Sequence, residues 1–269
     1  MFDLHSHILP NIDDGAKNME MSLEMLKIAA LHGTKNIVAT PHIIEGEWLP
    51  TWDIILKKCD ILQQGCQQAG LDLRIFPGGE VAIHFDIIAL LKGPGTYCIN
   101  SGRYLLVELP ATHIPTYTEK IFFTLQTKGI TPILAHPERH PEISKNPEIL
   151  AEWIGMGVLS QMNGTSITGI MGERVMRTAE LLLTNSMVHV IGSDAHSIRT
   201  RNTNLAVAAE RIKSLVGPKG TEQLLVVNPR NILESQEVDI PEIKGINYPR
   251  AMSGVRKWLV NIMSSFSKN

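Results

Sequence analysis

Cysteine is scarce in this chain of 269 residues, and its spacing excludes the usual cysteine chemistries. Cys59, Cys66 and Cys98 form no Cys-x-x-Cys pair, which argues against a disulfide framework and indicates reduced thiols in the cytoplasm. The nearest arginine after Cys98 is Arg103, one position too early for the cysteine-to-arginine spacing of thiol phosphatases. The sequence therefore gives no support to cysteine-based catalysis.

A strong excess of charge, a long apolar run and a signal-like N-terminus are also missing. The formal net charge of −2 gives no electrostatic basis for binding nucleic acid, which usually needs a basic surface. No apolar segment is long enough to cross a bilayer, and no basic segment followed by an apolar one opens the chain. With 43% hydrophobic and 19% charged residues, the composition predicts a globular cytoplasmic protein with a sizeable core.

Seven strand-like segments alternate with amphipathic helical patterns along the chain. The segments span residues 2–5, 36–40, 71–76, 104–107, 131–135, 158–161 and 188–191. Alternation of strand and helix predicts parallel pairing with right-handed crossovers. Seven such units favour a closed, TIM-like α/β barrel over an open sheet, and such barrels carry their chemistry at the C-terminal rim of the strands.

Metal-type side chains follow these segments within a few residues. His5 and His7 share one face of the first segment, because side chains two positions apart on a strand point the same way. Glu108 follows an apolar run, where an unpaired buried carboxylate would be costly unless a metal held it. The full set is His5, His7, Asp14, His42, Glu80, Glu108, His136, Asp194 and His196. Imidazoles and carboxylates without a thiol predict a multinuclear hydrolase site for manganese, iron or zinc.

The sixth segment is the exception, because it offers Asn163 but no strong ligand. That asparagine is expected to serve either the substrate or only the turn. Trp48 and Trp52 lie beyond His42, and they are expected either to form a wall for an aromatic substrate or to pack in the core.

Several motifs taken together resemble one known family. The motifs are Asp-Leu-His-Ser-His, Ala-Thr-Pro-His, Gly-Glu, Ala-His-Pro-Glu-Arg and Ser-Asp-Ala-His. They resemble the PHP family, the polymerase and histidinol phosphatase superfamily. Residues 5–15 and the Val-Glu-Leu-Pro segment at 107–110 are similar to its branch of bacterial manganese-dependent protein tyrosine phosphatases. Those enzymes act beside tyrosine kinases in capsule and exopolysaccharide biosynthesis, and the likeness covers about residues 1–233.

The resemblance implies a distorted barrel of seven strands with three divalent cations at the rim, manganese being the first choice and iron or zinc the alternatives. Matched by motif, the cations would be held by His5, His7, Glu80 and Asp194; by Glu80, Glu108 and His136; and by Asp14, His42 and His196. Asp14 stands where many PHP proteins carry a histidine, and Asp13 is the alternative at that position. Glu80 would bridge the first two cations.

The resemblance also implies hydrolysis by metal-activated hydroxide, with no nucleophilic side chain. Arg139 and Arg201 would each hold phosphate oxygens through their forked guanidinium groups, unless they form only surface salt bridges. Arg199 is the alternative to Arg201.

The sequence thus predicts a metal-dependent phosphoprotein tyrosine phosphatase, acting on a bacterial tyrosine kinase that regulates capsular or exopolysaccharide synthesis. Two alternatives remain, a phosphoesterase for a small phosphomonoester such as histidinol phosphate and a non-catalytic, metal-bound regulatory module. The predicted division is a barrel at 1–233, a linker at 234–248 and a basic amphipathic tail at 249–269. The tail would pack on the barrel, or contact the inner membrane surface or the kinase.

Overall fold

Nine β-strands form the centre of the computed structural model, which describes residues 1–245. They are β1 (Phe2–Ser6), β2 (Asn36–Ala39), β3 (His42–Ile43), β4 (Arg74–Pro77), β5 (Glu80–Ala82), β6 (Tyr104–Glu108), β7 (Thr131–Ala135), β8 (Leu159–Asn163) and β9 (Val190–Gly192).

Ten α-helices lie between and after these strands in the described part of the chain. They are α1 (Met19–Leu31), α2 (Trp52–Gln68), α3 (Phe85–Leu90), α4 (Thr118–Thr127), α5 (Pro141–Lys145), α6 (Glu148–Gly155), α7 (Gly164–Ile167), α8 (Glu173–Thr184), α9 (Ala206–Glu222) and α10 (Asn228–Leu233). A π-helical turn at Gln223–Val227 joins α9 to α10.

Every strand pairing is parallel, and the strands form two sheets. One sheet has the order β1-β2-β4 and the other β3-β5-β6-β7-β8-β9. Ser6, at the end of β1, forms a parallel bridge with Ala195, just after β9, so the curled sheet returns to its first strand. The prediction of a TIM-like barrel with seven strand positions is confirmed.

Two of the seven strand positions are divided into two short strands, and only the first strand of each pair was predicted. The second breaks into β2 and β3 at Thr40 and Pro41, where proline has no N–H for the ladder. The third breaks into β4 and β5 at Gly78 and Gly79. Its predicted start at Leu71 was also wrong, because the Leu71 N–H still caps α2 by donating to the Cys66 carbonyl (3.0 Å).

The space inside the strands is apolar at one end and polar at the other. Leu4, Val38, Leu106, Ile133 and Leu159 form part of the inner cluster, and α10 covers it with Ile232 and Leu233. The outer faces of the strands pack against the helices in a larger apolar cluster. Polar side chains are thereby concentrated at the opposite, C-terminal end of the barrel.

Residues 234–245 have no regular secondary structure but contact the barrel. The Ser235 hydroxyl accepts from the Arg103 N–H (3.2 Å), and the Lys244 N–H donates to the Asn185 carbonyl (3.1 Å). No helix among the described residues is long and apolar enough to cross a membrane. The end of the predicted linker and the predicted tail at 249–269 lie outside the described residues.

Candidate metal centre

The nine side chains proposed as ligands meet at the C-terminal rim of the barrel. Most of them lie at the end of a strand or just beyond it, and His42 and Glu80 begin the short strands β3 and β5. Two of them have strained backbones, since His136 and Asp194 have φ of +33° and +51°. Such left-handed conformations are uncommon outside glycine and cluster at functional sites.

Glu80 lies at the centre of the cluster and is fully buried. Its Oε2 lies 3.3 Å from the Nε2 atoms of His5 and His7 and 3.1 Å from Nδ1 of His42. Its Oε1 lies 3.0 Å from Nε2 of His136. Burial alone would raise the pKa of this carboxyl, but the surrounding imidazoles outweigh burial and hold the pKa well below its ordinary value.

His5, His7 and Glu80 form one close group of donors, and Asp194 lies beside the two imidazoles. The Nε2 atoms of His5 and His7 are 3.2 Å apart, and they lie 3.5 and 3.6 Å from Oδ1 of Asp194. Ligands about 2.1 Å from one tetrahedral cation would stand about 3.4 Å from each other. The separations in this group therefore match donors that face a single cation.

The other donors form two adjoining groups that share His42. Its Nδ1 lies 3.7 Å from Oε2 of Glu108, and Glu108 Oε1 lies 3.4 Å from Nε2 of His136. On the opposite side of the ring, Nε2 of His42 lies 3.6 Å from Oδ1 of Asp14, which is 3.3 Å from Nε2 of His196. The imidazole of His42 thus faces both groups, whereas the motif match placed it in one.

Two buried atoms in the cluster show that its members do not satisfy one another. His42 Nδ1 and Glu80 Oε2 are only 3.1 Å apart, yet neither makes a hydrogen bond. Buried polar atoms are nearly always hydrogen-bonded, so two neighbouring buried atoms without such a bond are unusual. A cation between such donors would satisfy both, and the donor set therefore fits a site for divalent metals.

Asp13 and Asp14 occupy different environments. The Asp13 side chain is fully buried, and its Oδ2 accepts from His7 Nδ1 (2.8 Å) and from the His42 N–H (3.1 Å). Burial lowers the pKa of His7, but its hydrogen bond to Asp13 and the nearby negative charge of Glu80 outweigh burial and raise the pKa to about 10. Asp14 is 46% exposed at its side chain and faces His42 and His196. Asp13 therefore orients one imidazole, while Asp14 faces the donor group itself.

The two proposed phosphate-holding arginines lie at the edge of the cluster. Arg139 Nη1 and Arg201 Nη2 each donate to the Asp194 carboxylate at 2.8 Å, and their side chains are about a third exposed. Arg199 is exposed and points to no residue of the cluster in any described contact. The structure thus brings Arg139 and Arg201 to the donor groups.

Trp48 and Trp52 have different surroundings. Trp48 stacks on His42 with ring centroids 5.4 Å apart, so it lies beside the donor groups. Trp52 packs edge-on against Tyr97, away from them. Trp52 therefore fits the expectation of a packed side chain. Trp48 lies where it can contact a substrate bound at the donor groups.

A model of the protein family described as "Capsular polysaccharide synthesis, CpsB/CapC" matches residues 1–234. The chain belongs to this family. The CpsB/CapC relatives include the tyrosine-protein phosphatase YwqE of Bacillus subtilis, 32% identical over 88% of this chain and 93% of its own length. The tyrosine-protein phosphatase CpsB of Streptococcus agalactiae is 29% identical over 88% of this chain and 100% of its own.

A solved structure agrees with this CpsB/CapC assignment. It comes from work on YwqE of Bacillus subtilis and CpsB of Streptococcus pneumoniae, described as metal-dependent tyrosine phosphatases, and has a TM-score of 0.85 at 31% identity, covering 92% of this chain and 100% of that one. A lactonase from Listeria monocytogenes has a TM-score of 0.55 at 12% identity, covering 86% of this chain and 94% of that one, and shares the fold alone.

Sequence reasoning missed two residues that support the cluster. Asp13 was considered only as a substitute ligand, and Gln161, which hydrogen-bonds to His5, was not considered at all. A usable signal existed for Gln161, because buried parallel strands usually read as continuous apolar runs. Gln161 and Asn163, two positions apart on β8, interrupt such a run on one face.

Proposed function

We propose that this chain is a metal-dependent tyrosine-protein phosphatase that hydrolyses phosphotyrosine in proteins. The observation that carries the proposal is the convergence of nine imidazole and carboxylate side chains on one rim, with two arginines at its edge. The shared family and the names of the CpsB/CapC relatives support the same reaction.

We propose three divalent cations at this rim, with manganese as the first choice and iron or zinc as alternatives. His5, His7, Glu80 and Asp194 would hold one, and Glu80, Glu108 and His136 would hold a second. Asp14, His42 and His196 would hold the third. When bound, such cations supply a nucleophile at neutral pH and neutralise charge on phosphate oxygens.

The protein's own contribution is to hold and orient the phosphate. Arg139 and Arg201 reach the edge of the cluster from the segments after β7 and β9, and a guanidinium group can place two N–H donors on phosphate oxygens. Both currently donate to Asp194. Phosphate oxygens accept hydrogen bonds as the Asp194 carboxylate does, so the two arginines can donate to a phosphate ester in the same way.

No thiol competes for the role of nucleophile. Cys59, Cys66 and Cys98 are buried and free, and burial raises the pKa of Cys59 to about 12 and that of Cys98 to about 11. The tyrosyl leaving group, with a pKa of about 10, departs more easily than an alkoxide. A dedicated general acid is therefore less necessary than for an alkyl phosphate.

We further propose that the substrate is a phosphorylated bacterial tyrosine kinase of capsular or exopolysaccharide synthesis. The family description supports the capsule context, and the relatives' names support a phosphotyrosine protein. Trp48, beside His42, supports an aryl substrate because it can stack on a tyrosine ring. The buried free thiols suit a reducing, cytoplasmic location.

The test compares substrates with and without metal. A phosphotyrosine peptide, histidinol phosphate and a generic aryl phosphate would be assayed with manganese and after chelation. We expect manganese-dependent hydrolysis with the highest kcat/KM on the peptide. A strong preference for histidinol phosphate would replace the proposed substrate class, and no hydrolysis of any substrate with metal bound would favour a non-catalytic module.

A further inference from the structure

The sixth strand position of the barrel, β8, contributes no metal-type ligand but carries two buried amides beneath the donor cluster. Gln161 and Asn163 lie two positions apart, share one face of the strand, and are 0% and 1% exposed. Buried amides are costly unless both of their ends are hydrogen-bonded. The partners of these two amides are all residues of the rim or of its supporting segments.

The hydrogen bonds join His5 to Asp194 in one continuous chain. His5 Nδ1 lies 2.9 Å from Gln161 Oε1, and Gln161 Nε2 donates to Asn163 Oδ1 at 2.9 Å. Asn163 Nδ2 then donates to Asp194 Oδ2 at 2.7 Å. Two ligands proposed for the same cation are thus linked by two amide groups, through the atoms that do not face the other donors.

The direction of this chain follows from the carboxylate at its end. An ionised Asp194 can only accept, so Asn163 must present its NH₂ group there and its oxygen to Gln161. Gln161 must then present its NH₂ group to Asn163 and its oxygen to His5. His5 is left to donate from Nδ1, which frees the lone pair of Nε2 to face His7, Glu80 and Asp194.

Neighbouring residues hold the two amides in place. A Cβ atom at Gly192 would lie 2.9 Å from Gln161 Nε2 and 2.5 Å from His5 Cβ, so only glycine leaves room for this contact. The buried carboxylate of Glu138 accepts from the Asn163 N–H (3.0 Å) and the Ser166 hydroxyl (2.7 Å). Gln161 Oε1 also lies 3.4 Å from the His136 N–H.

We infer that Gln161 and Asn163 are positioning residues that fix the Nδ1–H tautomer of His5 and hold His5 and Asp194 toward a common cation. The inference rests on the proposed metal dependence of this site. Removing a group that hydrogen-bonds to the other ring nitrogen of a metal-binding histidine typically lowers metal affinity 10- to 100-fold. Strand β8 therefore serves the metal centre without supplying a ligand.

The test uses Gln161→Met, which keeps the side-chain length and removes the hydrogen bonds to His5, Asn163 and the His136 N–H. The matched control is Gln126→Met, because Gln126 donates to the Met156 carbonyl (2.7 Å) on the outside of the barrel. Affinity for Mn²⁺ and Zn²⁺ would be measured by competition with a chelator, and thermal unfolding would be followed in parallel. We expect the Gln161 variant to lose about 10- to 100-fold in affinity for its weakened site and the control to lose none. Equal affinities in the two variants would overturn the inference.

Nuclear magnetic resonance of the Zn²⁺-loaded protein gives a second readout. The His5 Nδ1 proton should be present and protected from exchange in the native protein, because Gln161 accepts it. Absence of that proton, or a proton on Nε2 in its place, would overturn the inference, even where Gln161→Met does not fold. Both readouts are independent of the substrate, so failure to hydrolyse phosphotyrosine would reject the proposed function and leave this inference standing.

Discussion

Replacing Asp13 by alanine should lower the stability of the metal-free protein, whereas replacing Asp14 should chiefly lower its metal content. The Asp13 side chain is fully buried and accepts from three donors, His7 Nδ1 (2.8 Å), the Gly15 N–H (2.9 Å) and the His42 N–H (3.1 Å). Removing one partner of a buried, hydrogen-bonded charge pair costs about 3–5 kcal/mol. We therefore expect Asp13→Ala to lower the free energy of unfolding of the metal-free protein by about that amount.

Asp14→Ala should leave the same free energy nearly unchanged. Its side chain is 46% exposed and faces the imidazoles of His42 and His196, at 3.6 and 3.3 Å. Substitutions at such exposed positions usually change stability by less than about 0.5 kcal/mol. The same variant removes one oxygen donor from its group, so the protein should bind less metal after dialysis against a fixed manganese concentration.

The assay is urea unfolding in the presence of a chelator, followed by tryptophan fluorescence, together with elemental analysis of the metal-loaded protein. Chelation matters because bound metal would add its own stabilisation to the folded state. Asp72→Ala is the matched control, since Asp72 pairs with Lys35 on the surface and is 91% exposed. The reasoning would be refuted by equal destabilisation in the Asp13 and Asp14 variants, or by full metal content in Asp14→Ala.

Two other changes test the arginines and the core. Arg139→Ala should retain its metal but lose about 10²–10³-fold in kcat on an aryl phosphate, because a preorganised donor to the phosphate is gone. The control, Arg199→Ala, should have the kcat of the native enzyme. Normal turnover in the Arg139 variant would exclude that arginine from the mechanism. Burial lowers the pKa of His189 to about 4, so the folded protein binds this proton more weakly than the unfolded chain does. Stability should therefore be full above pH 6.5 and fall by about 3 kcal/mol between pH 6.5 and 4. In His189→Asn that part of the decline should be absent from urea unfolding measured across the same pH range, and an unchanged pH profile would contradict the assignment.

The parts of the fold that local patterns encode were predictable from the sequence. The strand at 131–135 was predicted with its observed bounds, and Gly70, at φ +69°, and Gly129, at φ +79°, follow the ends of α2 and α4, where glycine is common. The convergence of the proposed ligands could also be predicted, because strand ends in a parallel barrel share one rim. These features depend on spacing along the chain, which a sequence displays directly.

The relation between neighbouring residues at the rim could not be predicted in the same way. Asp13 and Asp14 are adjacent and chemically identical, and only the position of His7 and of the His42 backbone separates their roles. Gln161 bonds to His5, which lies 156 residues away, through a contact that exists only once the barrel has closed. Such pairings depend on tertiary geometry, so the sequence can mark Gln161 as unusual on a buried strand but cannot identify His5 as its partner.

The central position of Glu80 follows from the two strand breaks rather than from the ligand pattern alone. After the breaks, β3 and β5 pair with each other, and His42 and Glu80 become direct register partners in the six-stranded sheet. Gly78 and Gly79 permit this course, because Cβ atoms there would lie 3.0 Å from Val38 Cγ1 and Ile43 Cγ1. Without the breaks, the second and third strands would remain in the three-stranded sheet with β1, and Glu80 would not pair with both β3 and β6. The carboxylate reaches four imidazoles because the barrel is distorted at these two points, so the distortion is part of the metal centre's construction.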